Sequence, residues 1–292
     1  MIFAIRDAVR SRIRRLIARA ARGYVAGPRL LDARRTADEL ISRGYGITLA
    51  YWDGVGEDAS AVICQHEWAI DDIVVSGGDY VSLKAPSFGY DHDAATALVT
   101  RARSRGVGVH FDSLDHDSVE PTLELIRSLP GGPGGVGITA PGRWRRSPED
   151  AAELAAKGAI VRIVKGQWPD PGAPDLEGSQ GFLAVTHAVA GSAGPVRIAT
   201  HDGALATQAL DILRHAGTAA EVELLYGLPI RHSLRVAAVH RVPVRVYIPY
   251  GHGWLPYALD GLKRNPRLLV RLMRDAVGGR YLRGYHELDR GR

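Results

Sequence analysis

The sequence predicts an α/β fold, a closed (β/α)8 barrel that follows an N-terminal helical extension. From residue 46 onward, short apolar or β-branched segments alternate with longer segments of helical periodicity, a pattern typical of repeated βα units around a parallel sheet. Eight such short segments occur, and eight parallel strands close a barrel. The length of 292 residues accommodates a barrel of roughly 250 residues and an extension.

Each predicted strand is separated from the next by enough chain for a helix. The strands are Ile47 to Tyr51, Tyr80 to Lys84, Val107 to Asp112, Val136 to Thr139, Ile160 to Val164, Val196 to Thr200, Glu221 to Leu225 and Val244 to Pro249. Several end in, or directly precede, a charged or polar residue. Because the C-terminal strand ends of such barrels carry the active site, we expect the functional residues there.

A doubly wound sheet shows the same alternation of elements, but it normally carries a glycine-rich turn between its first strand and helix. The glycine cluster of this chain, residues 131–137, precedes a strand, so we interpret it as a loop. A second loop, Pro169 to Ser179, follows the fifth strand and could cover a ligand.

Residues 1–45 are predicted to form the extension and residues 46–292 the barrel. Between Arg6 and Arg22, arginines alternate with apolar residues at helical spacing, which predicts a basic amphipathic helix. Either its apolar side packs on the barrel, or it contacts a membrane surface or a protein partner. We expect this helix to be dispensable for cofactor binding.

Composition narrows the class of protein. The net charge of +5 can attract nucleic acid, an anionic membrane or an acidic protein, and of these we predict no nucleic-acid partner. The single cysteine, Cys64, excludes a disulfide framework or a cysteine-based metal site within one chain. No apolar run reaches roughly eighteen residues, the length of a spanning helix. We therefore expect a cytoplasmic protein, with membrane association through the N-terminal helix as an alternative.

A group of histidines and aspartates after the third strand has the residue types of a metal site: His110, Asp112, Asp115, His116 and Asp117. The last three of them fall in the turn before the next helix, where aspartate commonly caps the helix. We therefore predict no metal. No serine-hydrolase elbow of the Gly-x-Ser-x-Gly type occurs either.

The fifth strand carries the most informative pattern. Arg162 interrupts an apolar strand, and Lys165 and Gly166 follow at its end. A spacing of three places the two cations on opposite faces of a regular strand, so both face the interior only if the chain bulges. A buried cation requires an anionic or electron-rich partner. Arg162 is therefore expected in a functional site, in an ion pair with a carboxylate such as Asp112, or in both.

Six short motifs, in chain order between residues 46 and 275, resemble the barrel strands of the proline dehydrogenase family. They are Ser82-Leu83-Lys84, Phe111-Asp112, Arg162 to Gly166, Ala199 to Asp202, Leu225-Tyr226-Gly227 and Val246 to Gly251. The resemblance implies a distorted (β/α)8 barrel that holds FAD non-covalently. It also implies hydride transfer from the carbon beside the substrate nitrogen to flavin N5.

The same resemblance implies roles for individual residues. Arg162 is expected beside the flavin ring, where a cation favours the anionic reduced form. The expected cofactor contacts are Arg162, Val164, Lys165, Gly166, Thr200, His201 and Glu223. The expected catalytic residues are Lys84, Asp112, Arg162 and Tyr257, and the expected substrate contacts are Lys84, Tyr247, Tyr257, Asp260 and Arg264.

The last matched helix departs from the family pattern. Where the family has an arginine pair that clamps the substrate carboxylate, this chain has Asp260-Gly261, and Arg264 replaces a glutamate. An anion in place of two cations repels a carboxylate. The strands depart as well, with Pro141 and Glu223 each in place of a glutamine and Ala50 in place of an aspartate.

These departures favour FAD-dependent oxidation of an amine or amino-acid-derived compound whose carboxyl group is masked, for example as an amide or a carrier-protein thioester. An acidic carrier protein suits a basic chain, and a biosynthetic role would follow. Electrons would pass to a quinone or another acceptor. The alternatives are an ordinary proline dehydrogenase and a non-catalytic binding barrel.

Overall fold

The computed structural model shows a closed barrel of eight parallel strands in sequential order. It describes residues 25–73, 80–172, 178–228 and 230–253. The barrel closes where the first and last strands pair from Gly46 opposite Arg245 to Trp52 opposite Gly251. The closed sheet confirms the (β/α)8 prediction and excludes the doubly wound alternative.

All eight predicted strands are present, with ends that differ from the predicted ones by at most two residues. They are β1 (Gly46–Trp52), β2 (Tyr80–Leu83), β3 (Gly108–Phe111), β4 (Val136–Pro141), β5 (Ile160–Val164), β6 (Val196–Ala199), β7 (Ala220–Leu225) and β8 (Val244–Gly251). The glycine cluster forms the loop that enters β4, as predicted, and Gly131, Gly132 and Gly135 have positive φ there.

One described helix precedes the barrel, and one follows each of the first seven strands. They are α1 (Leu30–Ile41), α2 (Ala59–Asp72), α3 (His92–Ser104), α4 (Val119–Ser128), α5 (Ser147–Ala156), α6 (Gly178–Val189), α7 (Gly203–His215) and α8 (Arg231–His240), with a 3-10 helix over Ala85–Phe88. Within these ranges, no helix combines the length and apolar composition that a bilayer span requires.

Aspartates stabilise several of the turns in which a strand leads to its helix. Asp202 caps α7 by accepting from the Leu205 backbone N–H at 3.2 Å. Asp115 accepts from the Ser118 N–H at 3.0 Å, directly before α4. The interpretation of Asp115 as a turn residue is therefore confirmed.

The described end of the N-terminal segment packs on the barrel. Ala33, Ala37 and Leu40 of α1 are buried in the core. The backbone N–H of Ala26 donates to the Pro249 carbonyl at 3.0 Å, so the chain before α1 binds the end of β8. The predicted amphipathic helix between Arg6 and Arg22 lies outside the described residues.

Glycines in the strands make room for large polar side chains inside the barrel. A Cβ on Gly108 would lie 2.0 Å from the Tyr80 ring, and one on Gly137 would lie 2.0 Å from His110 Nδ1. Neither contact is sterically possible. Each glycine therefore fits the ring that its neighbouring strand places against it.

We predict that Gly137→Ala destabilises the protein by about 1 to 3 kcal/mol, because the added methyl group overpacks a buried site. His110 cannot turn away easily, since Thr139 and Arg197 contact its two ring nitrogens. Urea unfolding measures the change. The matched control is Gly134→Ala in the preceding loop, whose new Cβ would meet nothing closer than 3.6 Å. Equal stabilities of the two variants would contradict the prediction.

Candidate functional site

The C-terminal strand ends bring five predicted site residues to one end of the barrel. They belong to, or directly follow, β2, β3, β5, β7 and β8, and they are Lys84, Asp112, Arg162, Glu223 and Tyr247. Hydrogen bonds connect Arg162 with both acidic residues and Asp112 with Tyr247. We call this end of the barrel the mouth.

Arg162 is only 3% exposed and lies between two carboxylates. Its Nε donates to Glu223 Oε2 at 2.6 Å and its Nη2 to Glu223 Oε1 at 2.8 Å, so this pair is bidentate. Its Nη1 donates to Asp112 Oδ1 at 2.6 Å. Burial opposes the charge, but the two carboxylates outweigh it and raise the pKa of Arg162 above its ordinary value. The predicted ion pair with Asp112 is confirmed, and Glu223 is a second partner.

Glu223 is 2% exposed and has a neutral donor as well. The Thr48 hydroxyl donates to its Oε1 at 2.9 Å. Burial favours the protonated acid, yet Arg162 and Arg197 outweigh burial and hold the pKa of Glu223 below its ordinary value. Glu223 is therefore ionised inside the barrel.

Asp112 also fixes the phenol of Tyr247, the predicted substrate contact on β8. The Tyr247 hydroxyl donates to Asp112 Oδ2 at 2.6 Å and accepts from Trp52 Nε1 at 3.2 Å. Burial and the Asp112 charge raise the pKa of Tyr247 well above its ordinary value, so the phenol stays neutral. The Arg162 guanidinium lies 5.1 Å from the centre of its ring.

Lys84 occupies the other side of the mouth and is 4% exposed. Its Nζ donates to the Tyr51 carbonyl at 2.7 Å and lies 3.6 Å from Asp53 Oδ1. Burial lowers the pKa of Lys84, although Asp112 and Asp53 favour its charged form. The sequence did not predict Asp53 as a site residue. It follows β1, which has no charged residue that would draw attention to this strand end.

The ends of β5 and β6 supply a separate group of donors at the rim. Lys165 does not share the interior with Arg162: its side chain is 41% exposed and pairs with Asp202 at 3.1 Å. Thr200 accepts from the Asp202 N–H at 3.2 Å. His201 accepts from the Leu225 N–H through Nε2, so a neutral His201 carries its proton on Nδ1. A carboxylate therefore compensates the Lys165 charge at the rim.

Gly166 lies at the same rim, directly after Lys165. Its φ is +93°, and a Cβ at this position would lie 3.0 Å from the Pro141 side chain, which explains why glycine stands there. Val164, the last residue of β5, is partly buried beside it. The chain therefore turns tightly against the end of β4 where it leaves the fifth strand.

Deeper in the barrel, a polar chain that the sequence did not reveal leads away from Arg162. Arg162 Nη1 donates to Thr139 Oγ1 at 3.3 Å, and this hydroxyl lies 3.0 Å from His110 Nε2. The other ring nitrogen lies 3.4 Å from Arg197 Nη1, which can only donate, so His110 carries its proton on Nε2. Burial and the nearby arginines lower the pKa of His110 well below its ordinary value.

The aspartates and histidines after β3 do not converge on one point. Among the described residues, no group of three His, Cys, Asp or Glu side chains could hold a metal ion. His110 belongs to the polar chain and Asp112 to the Arg162 network, whereas His116 pairs loosely with Asp170 at 3.8 Å. The predicted contacts Tyr257, Asp260 and Arg264 lie outside the described residues.

Two curated relatives cover much of the chain, although no protein-family model matches it. The proline dehydrogenase of Deinococcus radiodurans is 30% identical over 209 residues, which is 64% of this chain and 66% of that protein. Proline dehydrogenase 1 of Bacillus subtilis is 26% identical over 264 residues, or 84% of this chain and 87% of the relative.

The chain belongs to the proline dehydrogenase family. Proteins of this family are FAD-dependent oxidoreductases that act on a CH–NH group. The resemblance of six strand motifs is therefore confirmed as family membership. The matched segment spans just under two thirds of the Deinococcus protein.

Solved structures of proline utilization A show the same fold. The protein from Bdellovibrio bacteriovorus, inactivated by N-propargylglycine, superposes with a TM-score of 0.70 at 17% identity over 92% of this chain. The one from Corynebacterium freiburgense gives 0.65 at 20% identity over 92%. This chain spans 34% and 33% of those larger proteins.

The donor set at the mouth fits an FAD molecule in its chemistry. A flavin dinucleotide presents carbonyl, ring-nitrogen and phosphate acceptors, which require N–H and O–H donors. Arg162, Lys165, Thr200 and His201 carry such donors on two neighbouring strand ends. Arg162, however, already donates to two carboxylates, so its charge is largely compensated.

A buried histidine behind the mouth generates a prediction about acid stability. His66 on α2 packs edge-on against Tyr51, and burial, assisted by Lys84, lowers its pKa to about 3. The unfolded chain therefore binds a proton on His66 between pH 6.5 and 3 that the folded chain does not. The free energy of unfolding should fall by about 1.4 kcal/mol per pH unit from this residue as the pH drops below 6.5.

We predict that His66→Phe removes this contribution. Urea unfolding from pH 7.5 to pH 4.5 measures the slope, and the variant should lose less stability on acidification than the parent protein. His187→Phe, on the exterior helix α6, is the control and should leave the slope as in the parent. A parent-like slope in His66→Phe would show that His66 titrates alike in both states.

Proposed function

We propose that this chain is an FAD-dependent oxidoreductase that oxidises a CH–NH bond of an amine or an amino-acid-derived compound whose carboxyl group is masked. Family membership supports the chemistry. The arrangement of charge at the mouth supports the choice of substrate. The proposal therefore separates a family reaction from a substrate particular to this chain.

The observation that carries the substrate proposal is that the three cations predicted for the site already have carboxylate partners. Arg162 pairs with Glu223 and Asp112, Lys84 lies beside Asp53, and Lys165 pairs with Asp202. A free substrate carboxylate would have to displace one of these anions. Displacement costs several kcal/mol when the partner is buried.

The charges of the interacting side chains at the mouth sum to a negative value. Two cations face three carboxylates, which leaves a net charge of −1; the members are Arg162, Lys84, Glu223, Asp112 and Asp53. A negative site favours a cationic amine and disfavours an added carboxylate. Asp260, predicted from the sequence to lie near the substrate, adds a further negative charge.

The donors at the rim would hold the cofactor. Lys165, Thr200 and His201 are the candidates for its phosphate and ribityl groups, and Val164, Gly166 and Arg162 for contacts with its ring. When bound, FAD supplies the two-electron acceptor for the hydride that leaves the carbon beside the substrate nitrogen.

Lys84 is proposed to take part in proton transfer with the substrate amine. An ammonium group must lose its proton before its neighbouring carbon can release a hydride. Burial lowers the pKa of Lys84, so its ammonium gives up a proton more readily than that of an exposed lysine, and its Nζ would exchange protons with the substrate amine. Asp112 and the neutral phenol of Tyr247 would orient the amine at the same place.

The partners of the reaction follow from the proposed substrate. Electrons would pass to a quinone or another acceptor, and an acidic carrier protein that delivers a thioester would be attracted by the net charge of +5. Such delivery places the enzyme in biosynthesis and in the cytoplasm. Contact of the N-terminal helix with a membrane would bring it near a quinone pool.

An ordinary proline dehydrogenase is the second candidate, favoured by the names of the curated relatives. It requires cations that hold the proline carboxylate. Lys263 and Arg264 are the sequence candidates for this role, since the cations described at the mouth are engaged. Comparison of proline with a masked derivative separates the two.

We predict that the purified chain, supplied with FAD, retains a visible flavin spectrum and is bleached anaerobically by prolinamide at least tenfold faster than by proline. One unfavourable charge contact of about 1.4 kcal/mol suffices for that ratio. The bleaching rate at equal substrate concentration is the measurement. A colourless protein would contradict the cofactor, and equal or faster bleaching by proline would contradict the masked substrate.

We predict that replacing Asp260→Arg together with Gly261→Arg creates binding of free proline. Each charge-assisted contact to the carboxylate should contribute about 1.5 to 3 kcal/mol, or roughly tenfold or more in affinity. The change in the flavin spectrum on titration with proline gives the dissociation constant. The control, Asp260→Asn with Gly261→Ala, removes the charge without adding a donor and should gain much less. Efficient proline turnover by the parent and its loss in the arginine variant would refute the substrate argument.

A further inference from the structure

The bidentate pair of Glu223 with Arg162 bears on the redox chemistry of any cofactor at the mouth. Glu223 lies two residues before Leu225, the last residue of β7. Its side chain therefore enters the barrel one layer below the mouth. Its two oxygens contact Arg162 Nε and Nη2 at 2.6 and 2.8 Å. The Thr48 hydroxyl holds it in this position.

The Arg162 guanidinium places a positive charge below the mouth, inside the barrel, where it can act on a flavin bound there. A positive charge beside a flavin stabilises the negative charge that the ring gains on reduction. In a buried site this effect is large, because little water screens it. A carboxylate in direct contact with the guanidinium compensates the charge to a similar degree.

Two carboxylates share this one guanidinium, and they differ in position. Asp112 follows β3 at the mouth itself and also binds Tyr247. Glu223 lies deeper, and its described hydrogen-bonding partners are Arg162 and Thr48. Glu223 is therefore placed to act on a ligand through Arg162 rather than by contact.

We propose that Glu223 is a positioning residue that compensates the charge of Arg162 and thereby lowers the reduction potential of a flavin bound at the mouth. The inference rests on the proposed function, because it requires a flavin there. A lower potential makes the reduced cofactor a better electron donor to its acceptor. It also restricts the enzyme to substrates that give up a hydride readily.

The test uses the full chain loaded with FAD and the variant Glu223→Gln. Glutamine keeps the size of the side chain and can still accept from Thr48 and Arg162, but it carries no charge. The midpoint potential of the bound flavin should rise by about 30 mV or more, which corresponds to a tenfold change in equilibrium constant for a two-electron couple. Sulfite, which adds to the flavin ring as an anion, should bind roughly tenfold more tightly to the variant.

The matched control is Glu221→Gln on the same strand. Glu221 lies two residues earlier on β7, further from the mouth, and pairs with Arg197 at 2.6 Å and Arg245 at 2.7 Å. The control variant removes one barrel carboxylate at a greater distance from the mouth, so its flavin potential should move much less. Glu223→Asp keeps the charge and should retain a potential close to that of the parent.

Equal potentials and equal sulfite affinities in the parent and Glu223→Gln would overturn the inference, as would an equal shift in Glu221→Gln. If Glu223→Gln is not recovered folded, Glu223→Ser, which leaves room for water beside Arg162, carries the same expectation. A parent chain that binds no flavin would refute the proposed function, and the inference with it. A parent with flavin but no Glu223 effect refutes the inference alone.

Discussion

The burial of Arg162 is the constraint on which the interior of this barrel depends. A guanidinium removed from water loses several kcal/mol of hydration, which only close anions and further hydrogen bonds can restore. Here Glu223 and Asp112 supply the anions, and Thr139 supplies a neutral acceptor. Together with Arg162 on β5, these side chains belong to, or directly follow, β3, β4 and β7, so one charge joins strands that do not neighbour each other.

The same requirement explains why the barrel is filled with polar side chains below the mouth. Thr139 connects Arg162 with a neutral His110, and His110 contacts Arg197. Near the opposite end, Arg197 and Arg245 both pair with Glu221 and lie over the Tyr80 ring. Such large groups fit only because small residues oppose them, as Gly108 and Gly137 do. The interior is therefore a connected polar network within an apolar shell of strands and helices.

This network has a direct consequence for function. Family membership accounts for the barrel, whereas the three cations predicted for the site, Arg162, Lys84 and Lys165, each lie beside a carboxylate. The two features together distinguish the reaction, which the family shares, from the substrate and the redox properties, which depend on single residues. Glu223 bears on both the substrate and the redox properties, because it compensates the charge of Arg162, the cation nearest the expected flavin.

The sequence alone determined the order of the strands and the residues at their ends. Alternating periodicity located all eight strands, and the cost of burying a cation was enough to predict an acidic partner for Arg162. The pairing partners themselves depended on the tertiary structure. Glu223 lies 61 residues after Arg162, and nothing local shows that β5 and β7 point these side chains at each other across the barrel.

The directions of Lys84 and Lys165 were also decided by the fold. Lys84 turns towards Asp53, in the loop after the neighbouring β1, and Lys165 turns outward to Asp202 at the rim. Periodicity specifies which face of a strand a residue occupies, but barrel closure specifies which residues of other strands share that space. Strand positions are therefore readable from one sequence, whereas contacts across the barrel exist only once it has closed.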